Sequence, residues 1–506
     1  MKKITDMRIN CLDDFAVSMV ICVLMSLSSC ASDEGNYSYK ELNTLSITGV
    51  EQSYEIEQFS TLEINPIISG SLSFESENYD YVWFLHLVND LTNSAPDTLS
   101  KMKNLKAEIG NSPSGNYELV FQVKDRSTGL FTQTTSNLTI VNSFSKGLAI
   151  LSSNDGMSDV TFINSLNKVI DDVYSAVNGR SLGKNPIGIF HAGRNANCHQ
   201  QLIISTEDSC VVVNGTDFSY EMNFNDMFYF PSKPGILEAF CHGTYGQYEH
   251  CIVDGKVFKR NSYIWEGEPT VPMFATYLPC DNAGRVAPVS FYNDNIAAIF
   301  YDKINKRFVY DNYYGLSPLV KGFENEYFNP TNLDMDLIWG DNLLSEDGLS
   351  YIRMVMKDDG GKVYVLYGMK QTKYDYDTSS RWYYIVPSGK LQLTSDAMQA
   401  TCYAMSSVDV NFLYYATGNT IVGISILTGN IISKMTLEGG NIDRMEFDPN
   451  DPSRMYVGVS DGSCKPKSGT VYYLNMATNG QLSIEKKFDG ICGKVVDFQI
   501  NYGKNN

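Results

Sequence analysis

One phrase recurs through most of the chain: an apolar strand-like run, a short polar turn, then a second such run. It appears as "GLAILSSNDGMSDVTFIN", "QLIISTEDSCVVVNG", "EHCIVDGKVFKRN", "NIAAIFYDKINKRFVYDN", "KVYVLYGMKQTKYDYDTSSRWYYIVPSG", "NFLYYATGNTIVGISILTG" and "RMYVGVSDGSCKPKSGTVYYLNM". The copies begin near residues 147, 201, 249, 295, 362, 411 and 454. Strand-rich repeats at intervals of roughly 40–70 residues are the signature of a β-propeller. A lone blade leaves both faces and its edges open, so it is stable only when stacked on neighbours in a closed ring. The pattern predicts a seven-bladed propeller over residues 146–501. The rival arrangement is a pair of jelly rolls or sandwiches, in which seven similar phrases would be coincidence. The longest interval, from 295 to 362, holds "PLVKGFENEYFNPTNLDMDLIWGDNLLSEDG" and reads as an insertion on one face of the ring. Only residues 162–176 ("FINSLNKVIDDVYSA") carry a helical stripe, with Phe162, Leu166, Val169, Ile170 and Val173 on one side.

Before the repeats, residues 41–145 read as a separate all-β unit. "YDYVWFL" (79–85) is a strand centred on Trp83. "GNYELVFQVKD" (115–125) alternates, with Tyr117, Leu119, Phe121 and Val123 on one face and Glu118, Val120, Gln122 and Lys124 on the other. "TTSNLTIV" supplies a last strand. About seven strands in roughly 100 residues, around a core Trp, predict an immunoglobulin-like β-sandwich. The 33 tyrosines and 25 phenylalanines suit such half-buried sheets.

Ahead of both units, Lys2, Lys3 and Arg8 precede an apolar run, "AVSMVICVLMSL" (16–27). That run is too short to span a bilayer and has the length of a signal-peptide core. Leu27, Ser28, Ser29 and Cys30 resemble a bacterial lipobox, in which the cysteine thiol takes a diacylglycerol group before cleavage. Residues 1–29 are therefore expected to be removed, and the mature chain to begin at an acylated Cys30 with residues 30–40 as linker. Met7 is an alternative start, because Asp6, Asp13 and Asp14 are unusual in such a leader. Asp33 and Glu34 resemble the signal that carries some lipoproteins to the outer cell surface.

The motifs "GNYSYKELN", "YDYVWFL", "GNYELVFQVKD" and "SFSKGLAIL" (143–151) together resemble the PKD-like family of outer-membrane lipoproteins found in Sus-type nutrient-uptake loci. "MEFDPNDPSRMYVG" and "GICGKVVDFQINYG" extend that resemblance to the C-terminus. It implies an accessory surface lipoprotein beside a SusC-like TonB-dependent transporter and its SusD-like lid lipoprotein. The implied role is to bind or present a glycan, glycopeptide or peptide, or to dock on the transporter, with the sandwich as a spacer. These motifs specify a fold and carry no chemistry.

Charge excludes several other classes. At -19 the chain lacks the clustered Lys and Arg that phosphate backbones require, so no nucleic-acid partner is expected. Electrostatic adhesion to anionic lipid is equally disfavoured, which leaves a lipid anchor as the membrane contact. Of 11 cysteines, Cys11 and Cys22 belong to the leader and Cys30 to the expected acylation site, which leaves eight. In "CHGTYGQYEHC" a hairpin centred on Gly246 would set Cys241 opposite Cys251, as a disulfide or paired thiols, and His242 opposite His250 on the other face. His191, Cys198 and His199 lack zinc-like spacing, so no metal is expected.

A catalytic reading finds little to build on. There is no G-x-S-x-G elbow, H-E-x-x-H, P-loop or dinucleotide fingerprint, and no cofactor is implied. Acidic pairs such as Asp334 and Asp336 read as solvated surface. "DPNDPSR" (448–454) is oxygen-rich but lacks the EF-hand order, and reads as a proline-braced turn. Binding fits better than catalysis. Trp265, Trp339 and Trp382 lie at or near repeat ends and Tyr313 and Tyr314 close the fourth repeat, where rings can stack on sugars or anchor a protein; packing between blades is the competing role. Trp339, in the long interval, is the leading candidate. The alternative function is a surface hydrolase of glycans or peptides with its active site in the propeller.

Overall fold

The computed structural model describes residues 41–502, apart from 59, 89–95, 110–114, 145, 193–199, 230–234, 243–247, 262–272, 292–297, 345–349, 378–379 and 407–410. The elements form an N-terminal sandwich and a propeller, and every sheet of the propeller is antiparallel.

The sandwich is built from nine short strands. β2 (Ser53–Glu57), β5 (Tyr79–Leu87), β6 (Asp97–Ser100), β8 (Gly115–Asp125) and β9 (Phe131–Val141) form one sheet in the order β2-β9-β8-β5-β6. Two ribbons complete it, β1 (Leu45–Thr48) with β4 (Ile67–Gly70) and β3 (Thr61–Ile64) with β7 (Leu105–Glu108). In the five-stranded sheet β2 runs parallel to β9, the Asn137 N–H donating to the Gln52 carbonyl and the Gln58 N–H to the Val141 carbonyl. Register sets Trp83 directly opposite Phe121, and the two rings stack at 4.2 Å, both fully buried. The Trp83 indole N–H donates to the Lys103 carbonyl at 3.1 Å, which removes the cost of burying it. The expected alternation holds, since Tyr117, Leu119, Phe121 and Val123 are all buried. Val120, expected on the open face, is buried too.

Among the described residues the propeller consists of seven sheets, and in blades 2 to 7 the first strand is innermost and the others follow outward. Blade 2 comprises β13 (Pro186–Ala192), β14 (Gln201–Thr206), β15 (Cys210–Asn214) and β16 (Tyr220–Asn223). Blade 3 has β17 (Leu237–His242), β18 (Tyr248–Val253) and β19 (Lys256–Asn261). Blade 4 has β20 (Val286–Phe291), β21 (Ile299–Asp302), β22 (Arg307–Asp311) and β23 (Leu316–Pro318). Blade 5 has β24 (Asp336–Leu344), β25 (Ser350–Lys357), β26 (Val363–Asp375) and β27 (Ser380–Gln392). Blade 6 has β28 (Cys402–Met405), β29 (Phe412–Thr417), β30 (Thr420–Ser425) and β31 (Ile431–Thr436). Blade 7 has β32 (Asn441–Phe447), β33 (Arg454–Ser460), β34 (Gly469–Met476) and β35 (Leu482–Cys492).

Blade 1 closes the ring. Its strands β10 (Lys146–Asn154), β11 (Met157–Asn164) and β12 (Val169–Ile170) are joined on the inside by the last strand, β36 (Lys494–Tyr502). β36 pairs along β10 from Lys146↔Tyr502 to Ser153↔Lys494. Each seam between blades holds its own apolar cluster, including the seam where blade 7 meets blade 1. In β14, Leu202 and Ile204 fill the seam toward blade 1 while Ile203 fills the seam toward blade 3. Both faces of the strand are thus buried, and its sequence reads as a continuous apolar run rather than an alternating one. The same logic produced the recurring phrase.

Three expectations need correction. Residues 162–176 do not form one helix: Phe162 is in β11, Val169 and Ile170 are β12, and only α1 (Val173–Asn178) is helical. A turn at Asn164–Lys168, with Asn167 at φ +63°, folds the apolar residues together as a hairpin and so mimics the helical spacing. The long interval is no surface insertion either. "DLIWGDNLL" is the inner strand of blade 5, and Leu319, Phe328 and Leu333 ahead of it fill the seam between blades 4 and 5. The extra length of this blade lies in β26 and β27, a hairpin of 13-residue strands.

The third correction concerns Cys241 and Cys251. A bulge between Leu237 and Ala239 accompanies a register in which Cys241 faces His250 and Phe240 faces Cys251. One residue of slip moves a side chain to the opposite face. Cys241 therefore lies in the seam toward blade 4 and Cys251 in the seam toward blade 2, both as free thiols. Burial pushes Cys241 up to about 12 and Cys251 well above its ordinary value, which keeps both thiols inert.

Candidate binding face and channel

The turn that joins the third and fourth strands of blade 4 opens on one face of the ring. The β22–β23 turn on this face carries Tyr313 and Tyr314, which are 61% and 83% exposed. Tyr313 sits at φ +81°, a region a bulky residue rarely adopts. Side chains below it impose that geometry. Asp311 Oδ1 accepts the Tyr313 backbone N–H at 2.7 Å, and Asn312 Oδ1 accepts the N–H groups of Tyr314 at 2.9 Å and Gly315 at 2.8 Å.

Asp311 is itself clamped from blade 3. His250 Nε2 donates to its Oδ2 at 2.8 Å and Lys259 Nζ to its Oδ1 at 3.0 Å. Burial raises the Asp311 carboxyl, but His250 and Lys259 outweigh it and hold the group below the usual carboxylate range. Lys259 Nζ also lies 4.4 Å from the Tyr313 ring centre and 5.1 Å from that of Tyr248, and donates to the Tyr313 carbonyl at 3.2 Å. The result is a rigid corner of three tyrosines, with Tyr248 edge-on to Tyr313 at 6.2 Å and Tyr313 edge-on to Tyr314 at 5.3 Å.

The β26–β27 hairpin of blade 5 presents a second aromatic group. Tyr374 and Tyr376 meet edge-on at 4.9 Å, Tyr376 is 85% exposed, and Trp382 is exposed on the returning strand opposite Lys373. Among the described residues, every exposed aromatic side chain of the ring lies between Tyr229 and Trp382. Blades 1, 6 and 7 contribute none of them. Trp339 behaves differently: it lies on the inner strand β24, opposite Val355, and packs half-buried against the seam between blades 5 and 6. Trp265, Cys30, Cys198 and His199 lie outside the described residues. His191 is buried on β13. In "DPNDPSR", Asp448 accepts the N–H of Asn450 and the Tyr456 hydroxyl and Asp451 accepts the Ser453 hydroxyl, so these carboxylates are engaged in bracing the turn. Among the described residues no His, Cys, Asp and Glu cluster is placed to hold a metal, and no helix is long and apolar enough to cross a membrane.

A charged constellation that the sequence reading missed lies at the inner strands. β36 adjoins both β13 and β32, β28 adjoins β32, and β20 adjoins β24, so the first strands surround a central channel. Arg444 on β32 is 2.8 Å from Asp497 Oδ1 on β36 and 3.3 Å from Glu446 Oε2, both through Nη2. Across the channel, Arg353 Nη2 holds Asp341 Oδ2 at 2.5 Å and Arg353 Nη1 donates to the Ser406 carbonyl at 2.8 Å. Asp497 Oδ2 also accepts the Ile189 N–H at 3.0 Å. Burial raises the Glu446 carboxyl; Arg444 opposes this, Asp497 and Asp341 reinforce it, and the net position is about 7. The available signal was the set of charges Asp443, Arg444 and Glu446 interleaved with Ile442, Met445 and Phe447 in one strand.

No curated protein matches the sequence. Among solved structures, the chain is similar to a quinonprotein alcohol dehydrogenase-like protein from Bacteroides thetaiotaomicron VPI-5482, with 14% identity over 89% of this chain and 96% of that one, and a TM-score of 0.39. It is also similar to a chain of the mitotic checkpoint complex (10% identity, 63% of this chain and 86% of that one, TM-score 0.37). The C-terminal WD40 domain of Sif2 gives 10% identity over 63% of this chain and 93% of its own, with a TM-score of 0.34. The C-terminal motifs quoted above lie beyond the family match, for it is residues 30–186, running from Cys30 through the sandwich and β10–β12 of blade 1 to the first residue of β13, that match the PKD-like family.

Proposed function

We propose that this protein is a lipid-anchored accessory component of a SusC/SusD-like TonB-dependent uptake system, held at the outer membrane through Cys30 and facing outward, where it binds or presents a glycan, glycopeptide or peptide. The observation that carries the binding part is the concentration of exposed aromatic rings on one sector of the ring, with Tyr313 and Tyr314 fixed on a braced turn. Rigid aromatics that keep their geometry before a ligand arrives lose little entropy on binding and offer flat faces to sugar rings or hot-spot anchors to a protein. The anchor and the transporter partnership rest on the lipobox and on the family resemblance of residues 30–186.

The test is co-purification from cells in which the chain is tagged, with the transporter and lid as expected partners. The Tyr313→Ala, Tyr314→Ala double variant is expected to weaken capture of partner or oligosaccharide about tenfold, equivalent to ~1.4 kcal/mol. Retained capture would remove the aromatic corner from the interface. Labelling with a palmitate analogue checks the anchor: label that survives Cys30→Ala rejects it. The hydrolase reading draws support from the channel, where Glu446 and Asp497 share one guanidinium nitrogen. Substrate loss abolished by Glu446→Gln would decide for it.

A further inference from the structure

The seam that closes the ring contains a cavity of about 420 Å³, within the size range of small-molecule sites, bounded by Asn164 and Asn501 of blade 1 and Asp448, Arg454, Tyr456 and Tyr473 of blade 7. We propose that this cavity is a binding site for a single sugar residue, with Asn501 as its deep hydrogen-bond acceptor. The site shares its ligand class with the function proposed above but not its location, because the aromatic corner belongs to blades 3 and 4.

The chemistry of the lining supports this assignment. Asn501 is 1% exposed, and its Nδ2 donates to the Phe144 carbonyl at 2.9 Å and to the Gly215 carbonyl. Both bonds end on carbonyl oxygens, so the amide cannot be flipped, and its Oδ1 is left buried without a partner. An orphaned buried acceptor is costly unless something donates to it. A sugar hydroxyl is such a donor. Tyr456 and Tyr473 meet edge-on at 4.9 Å and supply an apolar wall for the C–H face of a pyranose ring. Arg454 is matched by Glu485 at 3.3 Å, and Asp448 Oδ2 by the Tyr456 hydroxyl at 2.8 Å, so these polar groups of the wall are fixed in place. Lys146 and Lys486 also line the cavity, Lys486 Nζ donating to Asn167 Oδ1 at 2.8 Å, so a polyhydroxylated neutral ring finds donors, acceptors and an apolar face together.

Saturation-transfer NMR on the whole mature chain tests the proposal, with glucose, galactose, N-acetylglucosamine and glucuronic acid as probes at millimolar concentration. At least one neutral sugar is expected to receive saturation. Lys486→Trp, at the edge of the cavity, is expected to block it without disturbing the core, and Asn501→Leu to weaken binding about tenfold if it folds. Tyr313→Ala, Tyr314→Ala is expected to leave this signal unchanged. Saturation that persists in Lys486→Trp but disappears in the tyrosine variant would refute the seam site while upholding the aromatic face. No saturation of any probe, or of glucuronic acid alone, would refute the seam site directly and leave co-purification to judge the function.

Discussion

Asp311→Asn is the substitution that most directly probes how the aromatic corner is held. The native carboxylate accepts three bonds at once: His250 Nε2 at 2.8 Å, Lys259 Nζ at 3.0 Å and the Tyr313 N–H at 2.7 Å. It is almost fully buried, and Lys259 is only 13% exposed, so neither can turn to water when the pairing is lost. Asparagine keeps one oxygen for Tyr313 but forfeits two charge-assisted bonds of ~1.5–3 kcal/mol each. Partial relief through the remaining oxygen brings the expected loss to about 2–4 kcal/mol, a substantial part of a typical stability of ~5–15 kcal/mol. Equilibrium urea unfolding at neutral pH should show a lower midpoint with an unchanged slope. The sign of the pH dependence follows from the depressed carboxyl. Its stabilisation is fully present above the unfolded-state value near 3.8 and is lost as pH falls toward the lower folded-state value. The gap between wild type and variant should therefore narrow in acid. A variant within about 0.5 kcal/mol of wild type at pH 7, the range of ordinary surface changes, would show that Tyr313 keeps its left-handed conformation without Asp311 and would refute the clamp.

Two further outcomes concern the channel and its wall. Glu446 stands at about 7 in the folded chain against an ordinary 4.5, so between those values the native state holds a proton that the unfolded state has released. Stability should fall as pH rises through that window and level off above it; Glu446→Gln should flatten the decline in a thermal melt series, and parallel profiles would contradict the assignment. Trp339→Ala should cost about 3 kcal/mol, the lower end for a large aromatic because the ring is half-buried, while leaving ligand or partner capture intact. Lost capture with unchanged melting would return Trp339 to the binding surface.

The blades were legible because their strands are buried on both faces and so stand out as apolar runs between turns. The sandwich was legible for the complementary reason: "GNYELVFQVKD" has one face toward Trp83 and shows period-two alternation. Tyr313 and Tyr314 were found because a repeat end is also a turn. Register was harder to read. Nothing in "CHGTYGQYEHC" reveals the bulge before Ala239 that offsets Cys241 from Cys251 by one position. Trp339 looked like loop because the blade 5 phrase was recognised on its outer hairpin, so the inner strand before it went unassigned. The channel groups were invisible for a topological reason: Asp341, Glu446 and Asp497 are far apart in sequence and meet only because three blades point their first strands at one axis. Asn164 and Asp448, which meet at the seam cavity, are farther apart still.

The pairing of β36 with β10 has a consequence for the order in which the propeller can form. Gln499 lies opposite Ala149, so the contact that seals the ring joins segments made at opposite ends of the propeller's synthesis. Until the last strand emerges, blade 1 offers the inner edge of β10 as an unpaired template, while Val495, Phe498 and Ile500 are not yet present to fill its seam with blade 7. Blades 2 to 6 gain their neighbours progressively as the chain lengthens. Completion of the first blade therefore coincides with completion of the propeller, and a contact of such sequence separation makes closure the late, slow step of folding. A chain that stops short carries an open edge that can pair with another copy, which gives quality control a direct structural mark of an unfinished product.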